Sequence, residues 1–231
     1  MPDNMLNEIN EFDFDARRCN PDYRKSYVSP VENRKINLGG LQILCMSCRM
    51  CSLGQKYIEE KDQKINPHVF SNMVDSKFMV IGQNPGYNEA VQGEPFIGPS
   101  GKNFDTELAK HNLNRKQFYI SNVVKCYTPD NKKPCNEYRE LCAHILKLEL
   151  CVIRPKLIIT LGEHPFSYLC PERVYSEALG KITKTDFVIG GLQLPVFAVY
   201  HPSPTNLSVP ERKRDFEKQI AMLAKLVKKL L

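Results

Sequence analysis

Short apolar runs alternate with amphipathic and polar stretches along this chain, and that alternation predicts its layout. Phe78 to Ile81 is an apolar run that reads as a buried strand and stops at Gly82. FYISNVV (118–124) reads as a second strand, and Leu157 to Leu161, closed by Gly162, as a third. TDFVI (185–189) and LPVFAVY (194–200), separated by Gly190 and Gly191, predict a strand pair. Between the strands the period lengthens. Phe104 to His111 predicts a short helix with Asp105 and Glu107 in its first turn, and His164 to Leu169 another. Residues 135–152 predict a longer helix whose stripe is Leu141, Ile145, Leu148 and Val152. Phe216, Ile220, Leu223, Val227 and Leu230 mark one face of a closing helix that starts at about residue 210. Strands that alternate with helices predict an α/β fold: a single domain of three α/β/α layers around a mainly parallel central sheet.

The first forty residues are polar and show little periodicity. They read as an N-terminal extension (1–40) of unreadable role, with one helix around residues 14–27, ahead of a main domain over 41–231. LQILCMSCRMCSLG (41–54) begins apolar and ends in a CxxC, and residues 55–76 predict an exposed connection.

Composition narrows this little. A chain of 231 residues with 42% hydrophobic and 25% charged residues can bury a large core and is ordinary for a soluble protein. No apolar run is long enough to span a membrane, and the acidic, polar start is unlike a signal peptide. A cytosolic or nuclear protein with no membrane association is expected. The net charge of +6 fits a polyanionic partner without requiring one.

Nine cysteines without an export signal argue against a disulfide framework. Cys19, Cys135, Cys151 and Cys170 are expected to be small buried hydrophobes. Cys45, Cys48 and Cys51 differ, because thiols three residues apart can reach one metal centre.

The candidate site begins where the first strand ends, in MVIGQNPGYNEAVQGEPFIGPSG (79–101). Glycines such as Gly82 and Gly86 let a ligand approach the backbone closely. A strand that runs into such a loop puts Gln83, Asn84 and Pro85 at the carboxyl edge of a parallel sheet, where open α/β sheets bind ligands. Asn122 ends another strand, and His201-Pro202-Ser203-Pro204 follows a third. Taken singly, Asn122 and His201 are turn or cap residues and Phe96 is core. Together at strand ends, they would share one cleft.

The ordered set resembles the uracil-DNA glycosylase superfamily, and most closely its iron–sulfur (family 4) branch. The motifs that carry the resemblance are GQNPG, GEPFIGPSG, ISNVVKC, NKKP, PKLIITLG and HPSPTN, in family order from about residue 45 to the C-terminus. The resemblance implies that Cys48, Cys51, Cys126 and Cys142 hold a [4Fe–4S] cluster. Their spacing alone suits tetrahedral zinc equally well. Cys45 is then a spare, either a substitute ligand or simply buried. The implied role of the cluster is to pin the N-terminal segment against the 135–152 helix and the loop near Asn122.

The implied activity is hydrolysis of the N-glycosidic bond of uracil in DNA by a monomeric enzyme, leaving an abasic site. By resemblance, Phe96 stacks on the flipped base, Asn122 reads its pyrimidine edge, and His201 faces O2. The Gln83 backbone adds a donor, and Asn84 positions the attacking water. Gly82 and Gly86 complete the pocket. Family 4 usually has Glu at the position of Gln83, and neither Gln83 nor Asn84 can ionise. Glu89 and Glu94 are the nearby carboxylates left to contribute, and an Asn in this loop widens the expected base range beyond uracil. Lys125, Lys132, Lys133, Arg212, Lys213 and Arg214 are candidates for phosphate contact; Thr205 is a poor wedge into the duplex, which leaves that job to Leu207 or strand opening weak. The loss of carboxylates from the loop supports a different reading, a superfamily member that binds DNA or a replication partner without catalysis. A zinc deaminase fits poorly, since no His has Glu two residues on. A P-loop fits no better, because Phe96 and Asn103 replace the required Gly and Ser/Thr.

Overall fold

The computed structural model describes residues 37–54, 65, 68–186, 188 and 192–231. Its strands are β1 (Phe78–Gly82), β2 (Tyr119–Asn122), β3 (Leu157–Leu161), β4 (Ile182–Lys184) and β5 (Pro195–Val199), in the order β2-β1-β3-β5-β4. All neighbours run parallel except β4 and β5. The helices are α1 (Leu38–Met46), α2 (Tyr87–Gln92), α3 (Pro99–Lys110), α4 (Asn136–Ile153), α5 (Glu163–Leu169), α6 (Tyr175–Ala178), α7 (Pro204–Leu207) and α8 (Pro210–Leu230).

Every position of β1, β2, β3 and β5 is buried, which is why these strands are almost uninterrupted apolar runs. Alternate side chains enter two cores. Phe78, Val80, Ile120, Ile159 and Phe197 meet Phe104 and Leu108 of α3 and the Phe216–Ile220–Leu223–Val227 face of α8. Met79, Ile81, Ile158, Val196 and Ala198 meet α4 and α5 on the other side. Burying a side chain of this size is worth about 1.5–3 kcal/mol, so the α8 stripe alone is a major tie. The three-layer expectation therefore holds.

Several elements differ from the sequence reading. The sheet-facing side of α4 is Cys142, Leu146, Leu150 and Ile153. Ile145, Leu148 and Val152 of the predicted stripe instead meet Leu41 and Cys45 of α1 and Phe70. A helix sandwiched between a sheet and a second helix carries two apolar stripes, and periodicity showed one. Helix α3 starts at Pro99, earlier than predicted, because proline suits the first helical position. The strand before β5 is Ile182–Lys184 rather than 185–189, of which residues 187 and 189 lie outside the described residues. Thr185 ends it, bonding Leu194 through both its N–H (2.9 Å) and its Oγ1 (3.0 Å), and Asp186 turns out to accept from Glu172 N. The connection before β1 is not exposed throughout, since His68, Val69 and Phe70 are buried. The predicted helix at 14–27 lies outside the described residues. Cys170 is buried as expected and Cys151 partly so, whereas Cys135 is exposed as the N-cap of α4.

The outer edge of β2 is closed by one amide. Asn72 donates from Nδ2 to Phe118 O (2.8 Å) and accepts at Oδ1 from Ile120 N (2.8 Å), occupying ladder groups that would otherwise be open.

Beneath the carboxyl end of β2 lies a buried ion pair. Lys125, expected at a DNA phosphate, is fully buried: its Nζ pairs with Glu149 of α4 and donates to Asn122 O (2.6 Å) and Ser121 Oγ (2.7 Å). The hydroxyls of Tyr119 and Ser121 each reach Glu149 Oε1 at 2.7 Å. Burial and the neighbouring Glu149 push the Tyr119 phenol far above its ordinary range. Lys125→Met would strand the carboxylate, and we expect it to cost about 3–5 kcal/mol of stability. Thermal melts should show that loss and its recovery when Lys125→Met is combined with Glu149→Leu.

Candidate active site

Strand register brings the site together. Gly82 lies directly opposite Asn122, Ile81 opposite Thr160, and Leu161 opposite Val199. The residues that follow therefore rise from one edge of the sheet. A cleft of about 440 Å³ opens there, lined among others by Gln83, Asn84, Gly86, Phe96, Asn122 and His201. All the residues predicted for the site other than the thiols line it, except Gly82, which lies beneath. A second hollow of about 280 Å³ shares Gln83 and His201 and adds Glu163 and His164.

Gly82 is the floor. A Cβ there would come within 2.3 Å of the Phe96 ring and 2.5 Å of Asn122 Oδ1, so only glycine lets ring and amide converge. Asn122 is 1% exposed, and neither its Nδ2 nor its Oδ1 has a hydrogen-bond partner. An unmade bond of this kind costs about 1–3 kcal/mol per group, and here the groups border a cleft. Gln83 Nε2 is likewise buried and unpartnered.

Phe96 is held in a strained backbone state, with φ 55°, the left-handed region that bulky residues avoid. Arg115 holds it there, donating to Phe96 O (3.0 Å) and Pro95 O (2.6 Å) while paired with Asp105 at 3.1 Å. Gly101 sits under the Phe96 carbonyl, where a Cβ would lie 1.8 Å from the oxygen.

Glu89 is engaged as a clamp. Its carboxylate accepts the N–H groups of Gly86 (3.1 Å), Ile97 (2.9 Å) and Gly98 (2.7 Å), tying the two halves of the glycine loop. Glu94 is exposed and does not line the cleft. Neither carboxylate stands as a free base. Asn84 donates from Nδ2 to Pro85 O and to Thr128 Oγ1, both at 3.0 Å.

His201 packs with its Cβ 3.0 Å from where a Gly162 Cβ would be. Burial, reinforced by His164, lowers its pKa to about 4, so the imidazole is neutral at pH 7. Its loop is fixed by Asn103 Nδ2 on Pro202 O (2.9 Å) and Asn206 Nδ2 on His201 O (3.2 Å). Leu207 is half-buried against the core, and Thr205 is exposed at the tip.

Cys48, Cys51, Cys126 and Cys142 come from the turn after α1, the segment after β2, and α4. Cys51 lies close enough to Cys48, Cys126 and Cys142 to add to the rise that burial gives their pKa values. Burial is the larger cause for Cys48, Cys126 and Cys142, lifting Cys142 to about 11. Lys125 N–H points at Cys142 Sγ (3.5 Å), and His68 Nε2 lies 3.1 Å from Cys48 O. Among the described residues, no three such side chains stand in metal-holding geometry. Cys45 is fully buried in the small core with Leu41, Phe70 and Ile145.

The profile of the uracil DNA glycosylase superfamily matches residues 68–225. The chain belongs to that superfamily. A type-4 uracil-DNA glycosylase of Saccharolobus solfataricus is 36% identical over 151 residues, covering 62% of this chain and 69% of that protein. One from Archaeoglobus fulgidus is 31% identical over 186 residues, covering 78% and 88%. Another from Sulfurisphaera tokodaii is 31% identical over 183 residues, covering 75% and 79%.

Sequence reasoning missed Arg115, Gly101, Thr128 and His164 in this superfamily fold. Arg115, Thr128 and His164 meet Phe96, Asn84 and His201 across long stretches of chain, so no local pattern marks them, whereas Gly101 lies within GEPFIGPSG itself. Glu89 was legible, since a Glu three residues after Gly86 signals a helix start.

Two outcomes are expected. Gly82→Ala should cost about 1–3 kcal/mol of stability in thermal melts and lose at least about 10-fold in binding to substrate DNA, because the added methyl occupies the space of ring and amide. Free His titrates near 6.5 and folded His201 near 4, so the fold should lose stability as pH falls through that window. Imidazole NMR shifts should show His201 still neutral at pH 5.5.

Proposed function

We propose that this protein is a uracil-DNA glycosylase, hydrolysing the bond between uracil and deoxyribose in DNA to leave an abasic site for repair. The observation that carries the reading is the unpartnered amide of Asn122, buried beside the Phe96 ring in a cleft of the superfamily's sheet edge. A flipped uracil offers what that amide lacks, an acceptor at O4 and a donor at N3–H, whereas cytosine offers the reverse. Stacking on Phe96 contributes about 1–3 kcal/mol, which offsets unstacking from the duplex.

In this reading the bond from C1′ to N1 breaks with its electron pair leaving on the base. The charge develops at O2, and neutral His201 donates a hydrogen bond there. Gln83 supplies a further donor from its backbone. Asn84 cannot take a proton, so it orients water by accepting a hydrogen bond at Oδ1, and water oxygen bonds C1′ as the sugar cation forms. The proton passes to solvent or to the departing base. An Asn in this loop resembles other branches of the superfamily, which supports a base range that includes other deaminated bases besides uracil.

Cys48, Cys51, Cys126 and Cys142 are assigned to a [4Fe–4S] cluster. Four thiols with spacings CxxC and Cys126-x15-Cys142, gathered from three elements, support this. Burial raises the pKa of Cys48, Cys126 and Cys142, and cluster iron would hold them as thiolates. A bound cluster would be held by Cys48 and Cys51 after α1, Cys126 after β2 and Cys142 on α4, and would tie these segments together. A non-catalytic DNA-binding role explains the missing carboxylate but leaves Asn122 and Gln83 unpaired at a cost with no return.

The test is base release from a uracil-containing oligonucleotide with anaerobically purified protein. Wild type should form abasic sites, His201→Ala should be about 100- to 1,000-fold slower, and iron analysis should find about four atoms per chain, lost in Cys142→Ala. No release from uracil, hypoxanthine or xanthine substrates by iron-replete protein would favour the non-catalytic reading.

A further inference from the structure

The hydroxyl of Thr128 stands at the junction between the thiol segment and the glycine loop. It is 4% exposed, two residues beyond Cys126, and in contact with the side chain of Asn84, 44 residues earlier. Its own proton goes to the carbonyl of Lys132, so toward Asn84 it can only accept. The second neighbour of the Asn84 amide, the Pro85 carbonyl, can also only accept. Two acceptors facing one end of a carboxamide fix which end that is: the NH2 must lie there, and Oδ1 is turned the other way.

That matters because an amide has two chemically opposite ends of nearly the same shape. Asn84 borders the cleft in a loop without a free carboxylate. Pointed one way it would offer water an acceptor; flipped, it would offer a donor and turn the water's lone pair away from an electrophilic carbon. The Pro85 carbonyl alone is a local contact that moves with the loop. Thr128 is anchored elsewhere, in a turn closed by Asn131 N on Thr128 O (3.0 Å) and Lys132 N on Pro129 O (3.1 Å). Asn131 Oδ1 also accepts from Tyr87 N (3.0 Å), so the turn grips the glycine loop at a second point.

We propose that Thr128 is a positioning residue that locks the Asn84 amide with Oδ1 toward the attacking water. This rests on the water-orienting role given to Asn84 above. The hydroxyl touches neither base nor sugar, and it acts by setting the sense of a hydrogen bond made by another side chain.

The experiment is single-turnover base release and DNA affinity for Thr128→Val, Thr128→Ser, Asn84→Ala, and Thr128→Val combined with Asn84→Ala, all with iron content verified. Thr128→Val keeps the shape and removes the hydroxyl. It should slow the chemical step about 10-fold while DNA affinity stays within about 2-fold of wild type. Thr128→Ser should restore the rate to within about 3-fold. In the Asn84→Ala background Thr128→Val should have no further effect, since the two act as a unit. Equal slowing by Thr128→Val with and without Asn84, or failure of serine to rescue, would overturn the proposal while leaving the role of Asn84 intact. Asn84→Ala at the wild-type rate would remove that role and the proposal with it.

Discussion

A carboxylate and an ammonium buried together under the end of β2 hold the working parts of this molecule in relation to one another. Glu149 comes from α4, and Lys125 from the segment between Asn122 and Cys126. Through one nitrogen Lys125 fixes the backbone carbonyl of Asn122, and its own N–H points at the thiol of Cys142. The pair need not add net stability, since desolvation offsets much of its attraction. What it does is remove alternatives: neither charge can be left alone in that core, so the helix, the strand end and the thiol segment have only one arrangement that satisfies both.

The cleft above is built on the same logic of enforced geometry. Three glycines are set where any side chain would collide: Gly82 under the Phe96 ring, Gly101 under the Phe96 carbonyl, and Gly86 against Glu89, where a Cβ would lie 2.8 Å from Oε2. The strained backbone of Phe96 persists because Arg115 and Gly101 leave it nowhere else to go. The Asn122 amide and Gln83 Nε2 are then left without hydrogen-bond partners beside it. Strain and unmet hydrogen bonds are paid by the cores on either side of the sheet, and the return is a pocket whose groups are already oriented.

Much of this was legible in the sequence. The strands β1, β2 and β3, the helix α8 and the residues at the strand ends follow from apolar runs that stop at glycine or asparagine. The positions of Asn122 and His201 follow from topology alone, because parallel strands deliver their carboxyl ends to one edge. What stayed hidden has a common cause. The second stripe of α4, the burial of Lys125 and the contact of Thr128 with Asn84 all depend on partners tens of residues away. Charge misled for Lys125: a lysine in a strand-end motif suggests phosphate until its carboxylate partner on another element is seen. Nothing local in TDFVI shows that Thr185 turns back onto Leu194 and ends the ladder.

Asn72 has a consequence for how the molecule behaves in company. An open sheet carries a row of unpaired backbone groups along each side, and a second chain can add itself there as a further strand. By placing its side-chain amide on Phe118 and Ile120, Asn72 stands in for that missing neighbour along β2. The opposite side ends in β4, only three residues long, preceded by Lys181 and ending in Lys184. Lateral growth is thus discouraged at both flanks, by mimicry on one and by brevity and charge on the other. Among the described residues, neither device reaches the carboxyl edge, where the cleft opens.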